Sequence, residues 1–480
     1  MTWMQRTEVL VRGAFVITMA GCRDARSHTA PAATHGVIAD GAVHLRDGEI
    51  INVGSFAELA AAAPEVQVVG DGTGVVIPGL VNTHTHLSEA LATGMGSELS
   101  LFEWGTRIIG PLSAALSAEL AREGTALRAV EMLLSGVTCV NDMFVHTAEG
   151  SLASLGVVDG LEAAGLRGIV SYGAEDITGL DATGDPQRVL EVAAVVAEQY
   201  ALAQRCESSE LVSFRWGIGT LLGQSDELLS EAVSQCSSHG WGVHTHLAEV
   251  REELVLANAR WGRRTIAHAE NIGLLDQPLV AGHAIWISEA EIDTLATHQV
   301  GVAHNPVANM ILGSGVCPVT ALRHRGVAVG IGTDGAASND SQDMLQAVKS
   351  AALLQKVNAR DPWVMDAYDA LEMATIGGAR ALGLDDRIGS LEVGKRADVV
   401  LLQDSVDIAV LHDPVSQVVY GASPRAVAAV FVDGRQVVAD HRCRSIEEAE
   451  QVARCRPLAA ALAAESGLAR DGFSLYRGQL

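Results

Sequence analysis

Hydrophobic positions along the chain fall into three stretches of different period. From Glu8 to about Gly79, short apolar runs alternate with turns: Val9-Leu10-Val11, Phe15-Val16-Ile17, Gly41 to Leu45 and Glu49 to Val53. Asp47-Gly48 between the last two is a hairpin signal, because the tight turns that suit strand twist need positive φ. Residues 27–39, rich in Ala, Thr and Pro, read as a loop or an insertion. From about Leu80 to Leu384 the pattern becomes strand–helix alternation. Strand candidates are Thr138-Cys139-Val140, Gly168-Ile169-Val170, Gly242-Val243-His244, Leu279-Val280-Ala281, Val300-Gly301-Val302 and Val327-Ala328-Val329. Helical stretches include Leu116 to Leu134, Pro186 to Leu202, Asp226 to His239 and Ser341 to Val357. After Ile388-Gly389 short strands return: Ala397 to Leu402, Ala426 to Val432, and Gln436-Val437-Val438 after a second Asp-Gly pair, Asp433-Gly434. Ile446 to Leu468 reads as an alanine-rich helix.

The alternation predicts an α/β fold with parallel strands, and a (β/α)8 TIM barrel matches its length; an open doubly wound sheet is the competitor. Strands at both ends of the chain predict one small β domain built from both termini. The expected division is 1–79 for the first part of that domain, 80–385 for the barrel, and 386–480 for its second part plus a C-terminal helix. No repeat of solenoid length and no low-complexity tract breaks this reading.

Charge and composition narrow the function classes. Of 480 residues, 48% are hydrophobic and 19% charged, which suits a soluble globular enzyme. The net charge of -25 argues against nucleic acid or an anionic membrane as partner. Seven cysteines are scattered without a CxxC pair, so neither a disulfide framework nor a cysteine metal site is expected. A reducing cytoplasm fits that usage. No apolar run reaches the ~18 to 20 residues of a membrane span. Ala14 to Gly21 before Cys22 has the faint form of a lipoprotein export signal. The run is short, however, and Arg6, Glu8 and Arg12 precede it, so Glu8 to Met19 reads as a strand.

The candidate chemistry sits at the ends of the apolar runs. Val75 to Leu87 ends in His84-Thr85-His86, and residues two apart on a strand share a face. Two imidazoles side by side can hold a divalent metal such as zinc, iron or nickel. Val243 to Glu249 repeats the HTHL pattern with His244 and His246, then places Glu249 three residues further on. His283 follows Leu279 to Gly282, and Asp334 follows Val327 to Thr333. Singly, His283 reads as a core histidine and Asp334 as a helix cap. Together they fall on the strand ends where barrel enzymes build their sites. Such a set would leave room for an activated water, with Glu249 carrying protons and His283 orienting the water. Gly330 to Gly335 also matches GxGxxG. A dinucleotide reading fails, because Asp334 would face the pyrophosphate and no acidic residue follows at the ribose spacing.

These motifs resemble the amidohydrolase superfamily, in its branch of aminohydrolases and chlorohydrolases acting on nitrogen heterocycles. The matching stretches are Pro78 to Leu87, His244 to Glu249, Gly282-His283, His304 to Val319, Gly330 to Asp340 and Gly389 to Leu402. The resemblance spans nearly the whole chain. It implies a distorted (β/α)8 barrel with a β-sandwich from both termini. It also implies one metal, zinc or alternatively iron(II), held by His84, His86, His246 and Asp334, with His244 a neighbour. In that branch Glu249 would protonate a ring nitrogen, while Asp334 and His283 would deprotonate and orient the water. Binuclear relatives bridge two metals through a carboxylated mid-barrel lysine, and no lysine precedes Lys349 here.

The implied activity is hydrolytic deamination of a purine, pyrimidine, pterin or triazine: water attacks an amidine-like ring carbon and ammonia leaves. The enzyme class is thus a hydrolase of carbon–nitrogen bonds in cyclic amidines. The same machinery can expel chloride or an alkylamine; cyclic-amide hydrolysis and a non-catalytic metal-binding role are the more distant alternatives. The partner is a small heterocyclic substrate, and relatives are often homo-oligomers. Adenosine-type members follow a tryptophan with a ribose-binding glutamate nine residues on; Trp104 matches, but Ser113 stands at the ninth position. Their mid-barrel histidine is matched by Gly219. Both departures point away from a ribosyl substrate. Trp104, Ser113, His304, Asn305 and Asn309 are the pocket candidates, with packing and turn roles open for Trp104 and Asn309; Trp286 is similarly ambiguous.

Overall fold

The structure is a computed structural model describing residues 6, 8–21, 36–96, 98–180, 186–403 and 405–468. Eight parallel strands form the barrel: β1 (Leu80–Thr85), β2 (Val137–Phe144), β3 (Arg167–Tyr172), β4 (Trp216–Thr220), β5 (Val243–Leu247), β6 (Leu279–His283), β7 (Gly301–His304) and β8 (Val329–Ile331). They are hydrogen-bonded as two arcs, β1-β2-β3 and β4 to β8, with Val212–Phe214 added outside β3. At one seam Arg215 N donates to Val170 O at 3.1 Å. Gln199 Nε2 staples the same seam, donating to Tyr172 O at 2.7 Å and Gly217 O at 2.9 Å. Gly217 is required there, because a Cβ would lie 2.4 Å from the Tyr172 carbonyl. At the other seam Asp334 N donates to His84 O at 2.9 Å. Asn82 Nδ2 also donates to Thr333 Oγ1 at 2.7 Å across it. The two arcs therefore enclose one distorted barrel.

Helices cover it as the apolar pattern requires. Asp226–His239 starts at Ser225, whose Oγ accepts from Leu228 N at 3.2 Å, and stops at Gly240 with φ 68°. Two expected boundaries move. The stretch expected as a helix from Pro186 opens instead as the short strand Pro186–Arg188, paired antiparallel with Ile177–Leu180, and the helix begins at Val192. Backbone bonds decide this: Val189 N and Leu190 N donate to Asp176 O rather than along a helix. Strand Val37–Arg46 takes the end of the expected loop; the rest of that loop, residues 27–35, and Cys22 lie outside the described residues.

Strands from both termini join one sheet. Val75–Pro78 pairs antiparallel with Val399–Leu402, linking Val9–Ile17, Val37–Arg46 and Glu49–Ser55 to Val427–Val432, Arg435–Ala439 and Arg442–Cys443. Val43 and Leu45 near one edge share a hydrophobic core with Ala429 and Phe431, so the sheet rolls over on itself as a sandwich. The two Asp-Gly turns meet: Gly48 and Gly434 have φ of 85° and 73°, and a Cβ on Gly434 would lie 2.6 Å from Gly48 Cα. Arg167 of β3 pins this domain to the barrel, contacting Asp398 at 3.0 Å and Asp433 at 3.4 Å. The C-terminal helix is Glu448–Glu465. No described helix is long and apolar enough to cross a membrane.

Candidate active site and metal centre

Every candidate ligand comes from the C-terminal end of a barrel strand or just beyond it. His84 lies within β1 and His86 directly follows it, His246 lies in β5, and Asp334 follows β8. The tautomers follow from the hydrogen-bond network. His86 Nδ1 donates to Met143 O at 2.7 Å, and His246 Nδ1 donates to Gly219 O at 2.6 Å. Each ring therefore presents a bare lone pair on Nε2, and these two atoms face each other at 3.1 Å. His84 Nε2 is buried without a hydrogen-bond partner and lies 3.5 Å from Asp334 Oδ1. His86 Nε2 is 3.4 Å from the same oxygen.

Unprotonated lone pairs converging in this way repel unless a cation lies among them. Four ligands bound tetrahedrally at about 2.0–2.1 Å would sit roughly 3.3 Å from one another, which these separations match. Burial lowers all three imidazoles, His86 to about 4, so they stay neutral and available as ligands. Burial would raise Asp334, but the neighbouring His84 ring and the charge of His283 outweigh it and hold the carboxyl well below its ordinary value. The donor set fits a divalent metal.

His244, the expected neighbour, stands behind the ligands. Its Nε2 accepts from His84 Nδ1 at 2.8 Å, and its Nδ1 donates to Ser171 Oγ at 3.2 Å. Ser171 Oγ in turn donates to Asp142 O at 2.7 Å. This relay fixes His84 with Nε2 toward the cation.

Glu249 and His283 form the other half of the site. His283 Nε2 lies 3.6 Å from Glu249 Oε2 and 3.7 Å from Asp334 Oδ2. Burial alone would depress His283, but the two carboxylates and the Asn309 contact raise it above its ordinary value. Burial pushes Glu249 up to about 7, against the opposing pull of His283. A carboxyl poised there can hold a proton and release it near neutral pH. Four non-glycine residues here adopt left-handed backbone: Ala248, His283, Ala284 and Asp334, with φ of 52°, 69°, 47° and 65°. Each costs on the order of 1–3 kcal/mol, and such strain persists only where surrounding structure enforces it.

The pocket candidates divide. Asn309 Oδ1 accepts from His283 Nδ1 at 2.8 Å, and Asn305 Nδ2 lies 3.4 Å from His283 Nε2, so both stand against that ring. Ser113 Oγ is committed to Gly110 O and Thr147 Oγ1, at 3.0 and 3.2 Å. His304 is fully buried with neither ring nitrogen hydrogen-bonded. Trp104 is buried with its Nε1 unpartnered. Trp286 Nε1 donates to Ser314 O at 2.8 Å, and Ser314 Oγ donates to Glu249 Oε1 at 3.2 Å. Sequence reasoning missed Ser314 and Glu253. The Glu253 carboxylate accepts from Ala248 N and Glu249 N, at 2.8 and 2.9 Å. Glu253 follows Glu249 by four residues, a spacing that could have flagged it.

Comparison with known proteins closes the argument on family. The model of the amidohydrolase family matches residues 75–437. The chain belongs to the amidohydrolase family. It is 36% identical to a 5′-deoxyadenosine deaminase of Methanothermobacter thermautotrophicus, covering 86% of this chain and 92% of that one. It is 37% identical to a 5-methylthioadenosine/S-adenosylhomocysteine deaminase of Desulforudis audaxviator, covering 92% and 95%. An adenosine deaminase structure from Xanthomonas campestris with bound zinc superposes with a TM-score of 0.83 at 30% identity, covering 95% and 99%. A zinc-bound atrazine chlorohydrolase from Arthrobacter aurescens has the same fold, with a TM-score of 0.83 at 24% identity over 94% and 100%. This amidohydrolase is accordingly a hydrolase of carbon–nitrogen bonds and a deaminase of nitrogen heterocycles.

Proposed function

We propose that this enzyme is a mononuclear zinc aminohydrolase that removes ammonia from an adenine-like ring. The observation that carries the reading is Glu249, raised to about 7 and facing His283 beside the ligand cluster. The names of the two sequence relatives and of the zinc-bound Xanthomonas campestris structure, each an adenosine-type deaminase, support the choice of ring. Zinc held by His84, His86, His246 and Asp334 would supply a Lewis acid that brings a water's pKa to about 7 and polarises it for attack.

The protein's own groups do the rest. Protonated Glu249 delivers its proton to the ring nitrogen next to the attacked carbon, so that charge does not build on the ring. Asp334, through Oδ2, accepts a proton from the water, and His283 holds the water's orientation from the other side. The proton returned to the amino group lets ammonia leave. Ser314 and the Glu253-bound backbone keep Glu249 in place, and Asn309 holds the His283 tautomer. The expected division at residues 79 and 386 places all of these groups in the barrel. The free cysteines among the described residues support a reducing, cytoplasmic setting.

The reading is tested by turnover of adenine compounds in oxygen-18-labelled water with zinc-loaded protein. The ring amino group should be exchanged for labelled oxygen, read by mass spectrometry. Products that keep the amino group and lose another substituent would overturn it.

A further inference from the structure

The family resemblance implies a histidine at the position where this chain has Gly219. The space that side chain would take is filled by the segment after β3. A Cβ on Gly219 would lie 2.5 Å from Gly173 O and 3.0 Å from both Cγ and Oε1 of Glu175, three residues beyond the end of β3. A Cβ on Gly223 would lie 2.0–2.4 Å from the Glu175 carboxylate. The two glycines thus form a recess that the carboxylate occupies. Gly219 also supplies the carbonyl that holds His246 at 2.6 Å, so Glu175 stands one residue from a candidate metal ligand.

The carboxylate is held firmly. Thr220 Oγ1 donates to Glu175 Oε1 at 2.6 Å and itself accepts from Gly223 N at 3.0 Å. On either side, Ala174 O accepts from Gln224 Nε2 at 2.9 Å, and Asp176 accepts from Ser225 N and Oγ at 2.7 and 2.6 Å. The nearby cation is spent elsewhere: Arg188 contacts Asp176 and Glu227, at 3.3 and 3.1 Å. Among the described residues Glu175 has no ion-pair partner, and burial raises its carboxyl. Glu175, Thr220 and His246 keep partial exposure while Ala174, Gly219 and Leu247 are buried.

We propose that Glu175 is the specificity-determining residue of this site, accepting a hydrogen bond from a donor on the substrate, either a ring N–H or a hydroxyl carried by the ring's substituent. A carboxylate oxygen offers an acceptor, and Glu175 Oε1 already accepts from Thr220, whereas a histidine at position 219 could offer a donor or an acceptor. The exchange of Gly219 and Glu175 therefore changes which hydrogen-bonding pattern the pocket selects. It also supplies a carboxylate in a chain that has Ser113 where the family resemblance implies a glutamate. This inference rests on the deaminase reading above.

The test compares kcat and KM of zinc-loaded native enzyme, Glu175→Gln and Thr220→Val on two substrate pairs. Adenosine against 2′,3′-dideoxyadenosine removes the hydroxyl donors; adenine against 9-methyladenine removes the ring N–H. Native enzyme should prefer the donor-bearing member of one pair by roughly ten- to a hundredfold, expressed in KM. Glu175→Gln should collapse that preference and Thr220→Val should reduce it. The pair affected names the donor. Preference unchanged in both variants, or a loss confined to kcat on all four compounds, would overturn the inference while leaving deamination standing. Native enzyme that turns over none of the four would overturn the deaminase reading and this inference with it.

Discussion

His86 and His246 aim their Nε2 atoms at each other across 3.1 Å, each ring held from behind by a backbone carbonyl. Neither nitrogen carries a proton in this arrangement, so the pair is stable only around a cation. His86→Ala should abolish tight metal binding, measured by elemental analysis after dialysis, and activity should disappear with it. Stripping the native enzyme with a chelator should lower Tm, since a metal at 1,000 times its Kd adds about 4 kcal/mol to the folded state. Restoring zinc should restore both, and a Tm unmoved by stripping would contradict the reading.

The pH dependence follows from Glu249. Its carboxyl is raised to about 7, and the proposed step needs it protonated. Activity should therefore be full on the acid side of that value and fall about tenfold per pH unit above it. Glu249→Gln should remove this alkaline limb along with most of the rate. A limb that persists unchanged in Glu249→Gln would assign it to another group.

Asn309 tests the positioning role of the His283 contact. Its Oδ1 accepts from His283 Nδ1 at 2.8 Å, which directs Nε2 toward Glu249 and Asp334. Asn309→Ala should lower kcat by about ten- to a hundredfold with metal content unchanged, because a loosely held imidazole spends less time in the productive orientation. Asn309→Asp, which keeps an acceptor, should recover part of that loss. A change in KM alone would place Asn309 on the substrate instead.

How far the site was legible in the chain can be argued from these residues. The two HTHL runs, His283 and Asp334 were readable because strand ends combine a period of two with a fixed barrel face. The carbonyls of Met143 and Gly219 were not, since any residue offers a carbonyl and only the fold says which one faces a ring. Asn309 was picked out as a pocket candidate, but its bond to His283 depends on how β6 and the helix Pro306–Ile311 pack. Glu175 was invisible, as its placement arises from Gly219 on β4 and Gly223 in the turn after it. The hairpin at Pro186–Arg188 was lost in the same way, because its pairing with Ile177–Leu180 is not local to the periodic run that follows.

The barrel and the terminal β domain are joined by a buried cluster around Asp433. Arg6, Arg167, Arg396 and Arg435 surround its carboxylate, the Arg396 contact being the tightest. Removing it with Asp433→Ala should cost about 3–5 kcal/mol, read from denaturant unfolding, because Arg167 would be left buried with fewer partners. Burial alone would raise this carboxyl, but the bonds from Arg6 and Arg396 bring it below its ordinary value of 3.8. Its contribution is therefore complete above that pH and is lost as pH falls below it. A variant as stable as native protein at neutral pH would contradict the account.

The most direct test of the central claim is ammonia release from adenosine, adenine and related amino-heterocycles, measured on zinc-loaded native enzyme beside Glu249→Gln. The account predicts release by the native enzyme, lowered about 10²- to 10⁴-fold in the variant while the variant keeps its metal. Metal retained with equal release by both proteins would contradict Glu249 as the proton donor, and no release by either would contradict deamination.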